Sequence, residues 1–365
     1  MNKYLTILDR YIIRTYLSSF GFVLLMLSAI ACIIDLGEKV EDFKSEHLSF
    51  KVIFVDYYLN FIPHINALLF PIIALISVVF FTSRMAYNSE VISILNAGVS
   101  FQRFMRPYLI AGSIIACVHL VLNHFVVPNG NKIRLDVEHK HVWKHQDKGK
   151  TDNVHLFLDP QTAVFIGSYR KSDTTIRDFR IEKFDKNGRL ESVLKAESGA
   201  WKGPPHNWKF QTLQRRYFNG LAESLQTNMI ELDTSIDILP DDFVRFSNQN
   251  EMLTTSELNY EIAKLERRGM GNTKSYQIEV QRRTSEPFTI IILTIIGMAL
   301  AARKVRGGMG LHLALGIGIG AVFIFLSKFS VTFATQPGIP AWFGVWIPNI
   351  VFMSIAAYLV SRAQK

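Results

Sequence analysis
Apolar and polar positions follow two different rhythms along this chain. Near both ends, long apolar runs stand between charged punctuation, and a helix needs about 20 mostly apolar residues to cross a bilayer core. Six runs predict such spans: 16–34, closed by Asp35; 61–82, closed by Arg84; 108–127, ended by Pro128-Asn129-Gly130; 287–302, closed by Arg303-Lys304; 311–332; and 343–360, closed by Arg362. The fourth is short, and its helix can continue into polar sequence upstream.

Between the third and fourth spans the rhythm shortens to strand-like alternation. The runs 154–158, 163–169, 176–184, 189–195, 208–213 and 228–232 predict strands. Asp185-Lys186-Asn187-Gly188 predicts a tight turn, and Gly203-Pro204-Pro205 marks a break. Runs of this length and spacing point to an antiparallel sandwich or an open roll. Val164, Ile166 and Ser168 are set against Phe165, Gly167 and Tyr169, so one alternate set supplies an inward face. Helix signals then return. Thr254 to Glu257 fits a capping box, a polar helix runs to about Arg268, Gly269-Met270-Gly271 breaks it, and another helix from about Thr273 leads into Pro287. The expected organisation is 1–127 with three spans, 128–252 as an inserted antiparallel β domain, 253–286 as a helical connector, and 287–365 with three more spans.

Composition fits this mixture. Hydrophobic residues make up 49% and charged residues 19%, below the ~25% usual for soluble chains. The net charge of +9 does not indicate nucleic acid, because the basic residues flank apolar runs. Segments 1–15, 83–107, 303–310 and 361–365 hold eleven basic residues, from Lys3 to Lys365, against two acids, Asp9 and Glu90. Segment 35–60 holds six acids and three lysines. The positive-inside rule therefore puts both termini in the cytoplasm and 128–286 outside. Cys32 and Cys117 lie in apolar runs and read as buried small residues. Ala29-Ile30-Ala31-Cys32 fits a lipoprotein cleavage site poorly, so the first run is expected to stay as a helix.

Candidate chemistry is sparse. Gly149-Lys150-Thr151 ends like a phosphate loop, but Lys144 occupies the place of the required glycine. No cofactor or metal is expected, and any ATP-driven work needs a partner chain. Gly316, Gly318 and Gly320 read as close helix packing. His139, His141 and His145 read as a solvated helix face. His64, His119, His124 and Asp56 have no recognisable catalytic spacing, although a membrane enzyme acting on lipids would draw on such residues. The loop near 84–100 is more distinctive. It predicts a short helix with Val91, Ile92, Ile94 and Leu95 on one side, Ser89, Glu90 and Ser93 elsewhere, and Glu90 as its one acid. A surface helix at the membrane gives this pattern, and so does a docking element for a motor subunit.

Several segments together resemble the LptF/LptG permease family of the lipopolysaccharide exporter. Leu8-Asp9-Arg10-Tyr11-Ile12 opens the chain as in the LptG branch. Ser89-Glu90-Val91-Ile92 and Asn96-Ala97-Gly98-Val99-Ser100 resemble the family's coupling helix and following turn. Residues 303–310, Gly338-Ile339-Pro340 and Trp346-Ile347-Pro348-Asn349 resemble its later loops and sixth span. The resemblance implies a non-catalytic subunit of the bacterial inner membrane, paired with a sister LptF/LptG-type subunit around a lipid-sized cavity. It implies a cytoplasmic ATPase dimer docked on the coupling helices, which binds the ATP. It also implies a periplasmic β-jellyroll that hands lipopolysaccharide to an LptC-like bridge. The implied coupling residues are Ser89, Glu90, Val91, Ile94, Leu95 and Gly98. LptG-type chains tend to carry basic residues just outside the first span. Here Asp35 and Glu38 stand there, leaving Lys39 and Lys44 as candidate lipid-head-group contacts. The alternative reading is the permease of another ATP-driven lipid or lipoprotein exporter.

Overall fold
The computed structural model describes residues 6–143, 152–170, 173–204, 207–220, 222–236, 238–240, 248–268, 273–303, 305, 308–336 and 338–363. His145, the segment Gly149-Lys150-Thr151, the break at Gly269-Met270-Gly271, and Lys304 lie outside them. The described residues form two compact units, 1–142 with 251–256 and 274–365, and 143–250 with 257–273.

The first unit holds the six spans. They are α1 Ile7–Ser45, α2 Val52–Tyr87, α4 Phe101–Val142, α7 Lys274–Ala301, α8 Gly308–Ala334 and α9 Ala341–Ala363. A short helix, α3 Glu90–Asn96, joins α2 to α4. α1, α2, α4 and α7 outrun their apolar stretches because their polar flanks are also helical. α1, for example, starts at a Thr6/Asp9 capping box and reaches Ser45. The stop expected at Pro128 does not occur, and 128–142 is helix packed on α2 rather than part of the β domain. A π-helical turn at Leu122–Val126 precedes Pro128. Such a widened turn absorbs the missing N–H and the ring clash that would otherwise end the helix.

Packing centres on α2 and α7, while α1 and α8 leave most of their apolar surface exposed. Small residues permit the close contacts. A Cβ on Gly297 would lie 2.5 Å from Val78 Cγ1, and one on Gly344 would lie 2.4 Å from Ala334 Cβ. Gly316 and Gly320 meet Val79 and Leu75, but Gly318 faces open space. The fully buried Tyr16 Oη lies 2.8 Å from Thr294 Oγ1 and 3.3 Å from the Ala74 carbonyl, which joins α1, α2 and α7 through polar atoms.

Among the described residues, the second unit holds a six-stranded antiparallel sheet in the order β1 to β6. Its strands are Asp152–Asp159, Thr162–Arg170, Thr175–Phe184, Leu190–Gly203, Asn207–Asn219 and Ala222–Ser235. This is the open-roll alternative. The turn at 185–188 forms as expected, with Asp185 Oδ1 accepting from the Asn187 and Arg189 amides at 2.8 Å and Gly188 at φ +76°. One face is apolar, built on Val154, Val164, Ile166, Phe179, Trp208 and Phe210. Val164 and Ile166 belong to it, but past Gly167 the buried residue is Tyr169 rather than Ser168. Two short helices follow the sheet, α5 Gln249–Met252 and α6 Thr255–Arg267.

Candidate functional site
The loop joining α2 to α4 is a helix hung between two left-handed residues. Ser89, at φ +63°, turns the chain out of α2, and Gly98, at φ +85°, turns it toward α4. Ser100 then caps α4, accepting from the Arg103 amide at 3.3 Å. The helix is shorter than the 84–100 expected, because α2 itself runs to Tyr87.

The side expected to be uniformly apolar divides. Val91 is fully buried in its own bundle, and Ile94 and Leu95 pack against the same core. These three anchor α3 to the membrane unit. Ile92 points outward and is 42% exposed. Glu90 is half-buried. It accepts hydrogen bonds from Tyr11 Oη and Asn88 Nδ2, each at 3.4 Å. Bonds at that distance are weak, so the carboxylate keeps capacity for a cation. Beside it lies a cavity of about 250 Å³ lined by Tyr11, Thr15, Ser19, Phe80, Arg84 and Glu90.

The two candidate head-group lysines differ sharply. Lys39 Nζ lies 2.8 Å from Asp35 Oδ1 and 2.8 Å from Glu138 Oε1, and it donates to Tyr57 Oη. Tyr57 also contacts both carboxylates, and Arg134 Nη1 reaches Glu138 Oε1 at 3.1 Å. Two carboxylates already neutralise Lys39, so it ties α1 to α2 and α4 instead of standing free for a phosphate. Lys44 is exposed. The i, i+4 pairs Asp35/Lys39 and Arg134/Glu138 were the available signals for this cluster; their meeting was not legible.

Two cavities suit an amphiphile. In the membrane unit, one of about 160 Å³ is lined by Leu68, Phe323, Thr289, Asn349, Arg282 and Lys328. Arg282 is paired with Glu279 at 3.0 Å, whereas Lys328 is exposed and meets no carboxylate among the described residues. In the sheet unit, one of about 480 Å³ is lined by Leu158, Ile181, Leu194 and Leu232, with Lys183 and Arg215. Two of the histidines weighed as catalytic, His119 and His124, hold packing contacts. His119 Nε2 donates to the Ala67 carbonyl at 2.9 Å, and His124 Nδ1 lies 2.8 Å from Thr255 Oγ1. Near them, burial raises the Glu251 carboxyl above the usual glutamate range, with Arg282 opposing that shift.

A family model for the lipopolysaccharide export system permease LptF/LptG matches residues 10–362. The lipopolysaccharide export system permease protein LptG of Escherichia coli is 19% identical over 359 residues, covering 98% of each chain. LptG of Haemophilus influenzae is 22% identical over 365 residues, covering 98% of this chain and 99% of its own. Six apolar spans in a three-plus-three order around a sheet fit that family, and the protein is a multi-pass inner-membrane protein. The chain belongs to the LptF/LptG family of lipopolysaccharide export permeases, on its LptG-like side.

Proposed function
We propose that this permease subunit takes its driving force from a cytoplasmic ATPase dimer docked on α3, working beside an LptF-type sister subunit. The observation that carries this reading is Glu90. It is a half-buried acid whose partners among the described residues are weak, on a short helix set between two left-handed residues in a basic loop. The charge asymmetry supports a cytoplasmic location for that loop and for both termini, and a periplasmic location for the sheet.

The lipid is the physical problem. Each acyl CH₂ brought into water costs about 0.8 kcal/mol, so a many-chained lipid needs an apolar path and an energy source. The exposed flanks of α1 and α8 supply apolar surface for a wedge shared with the sister subunit. Lys328 and Lys44 are exposed cations available to anionic head groups. Closure of the two halves squeezes the lipid toward the apolar face of the sheet, and an LptC-like bridge receives it there.

The test is copurification in mild detergent. Loss of one member of a partly desolvated interfacial charge pair costs about 2–5 kcal/mol. Glu90→Ala is therefore expected to weaken ATPase association, and Glu90→Lys to do so more strongly, with membrane insertion unchanged. Normal ATPase recovery with Glu90→Lys would remove Glu90 from the interface.

A further inference from the structure
The first turn of α1 is built around one carboxylate. Thr6 Oγ1 accepts from the Asp9 amide at 3.4 Å, and Asp9 Oδ2 accepts from the Thr6 amide at 2.9 Å. That box fixes the carboxylate, which is almost wholly buried. Arg103 then grips it with both arms of its guanidinium, Nη1 to Oδ1 and Nη2 to Oδ2, each at 2.6 Å. Nη2 also reaches Thr6 Oγ1 at 3.3 Å. Arg103 lies in the first turn of α4, just past the loop that carries α3. On the near side of that loop, Tyr11 reaches Glu90. The beginning of α1 therefore touches both ends of the loop.

This double contact has a mechanical consequence. Ser89 and Gly98 bracket α3 with left-handed backbone, and Val91, Ile94 and Leu95 seat it on the bundle by apolar contact, which fixes no direction of push. A push on α3 is carried along the bundle when its loop is also pinned to something long and stiff. α1 is a continuous helix of 39 residues whose other end enters the Asp35, Lys39 and Glu138 cluster. A bidentate Arg–carboxylate fork holds direction as well as distance, as a lever needs. We propose that the Asp9–Arg103 pair is a transmission element, which makes α1 move with the α3 loop and carries the ATPase's closure into the membrane bundle. The proposal rests on the docking role of α3. Asp9 and Arg103 are positioning residues that touch neither lipid nor nucleotide.

The test uses the whole complex, purified with sister subunit and ATPase and reconstituted in proteoliposomes containing lipopolysaccharide. ATP hydrolysis is measured alongside lipopolysaccharide captured by a photoreactive residue at Leu232 in the sheet. Arg103→Lys keeps the charge and loses the fork. The double variant Asp9→Asn with Arg103→Leu removes both charges, so no buried charge is left unpaired. Both variants are expected to hydrolyse ATP within about twofold of wild type, while lipid captured per ATP falls about tenfold, within the usual range of coupling between sites. A pair that serves only the fold lowers thermal stability and yield but leaves lipid per ATP unchanged. An unchanged ratio in either variant that assembles overturns the proposal. A wild-type chain that recovers no ATPase overturns the docking reading itself, so the two failures are distinguishable.

Discussion
Lys39 on α1 and Glu138 on α4 meet at 2.8 Å, although 99 positions separate them in the chain. Glu138 is buried and Lys39 is largely so. Removing one partner of a buried pair costs about 3–5 kcal/mol, mostly because the other charge is left uncompensated. Lys39→Met is therefore expected to lower the thermal unfolding midpoint in mild detergent, whereas exposed Lys44→Met stays within about 0.5 kcal/mol of wild type. Equal midpoints for the two variants would mean that the cluster contributes nothing to stability.

Glycine spacing gives a second contrast. A methyl on Gly344 would press on Ala334, including its backbone, whereas one on Gly318 would meet nothing within 4 Å. Overpacking of this kind costs about 1–3 kcal/mol. Relief of a helical glycine gains up to about 1 kcal/mol. Gly344→Ala is expected to unfold at lower temperature than wild type and Gly318→Ala at the same or higher temperature. The reverse order would show that α8 and α9 do not pack as described.

Topology can be read by cysteine labelling after Cys32 and Cys117 are replaced by alanine. Ser83, at the end of the second apolar run, is buried and unsuitable, but Asn88, Ser361 and Asn187 are exposed. Labels at Asn88 and Ser361 are expected to react only from the cytoplasm, and a label at Asn187 only from the periplasm. Reaction at Asn187 from the cytoplasmic side would invert the orientation.

The spans were legible because uncharged runs are conspicuous against Asp35, Arg84, Arg303 and Arg362. Their ends were not, since a polar helical flank such as 35–45 looks like a loop until its cap and packing are seen. Pro128 misled for a local reason, the π turn before it. Strand alternation located each of the six described strands, but 228–232 caught only part of β6, whose polar residues resemble a loop. At the site, the solitary charge of Glu90 was visible in sequence. The inward turn of Val91 was not, because seven residues are too few for periodicity to assign an outer face. Asp9, which reads as an ordinary cytoplasmic acid, proves to be the buried anchor of Arg103.

On the proposed function, this chain moves lipopolysaccharide into its sheet using energy received at α3. The most direct measurement places a photoreactive residue at Leu232, on the wall of the sheet cavity, in the reconstituted complex with sister subunit and ATPase. Ultraviolet crosslinking is then followed with and without ATP. A lipopolysaccharide adduct that grows with time only when ATP is hydrolysed, and that is lost with Glu90→Lys, is the expected result. An adduct of equal yield without ATP, or one untouched by Glu90→Lys, would rule out that function.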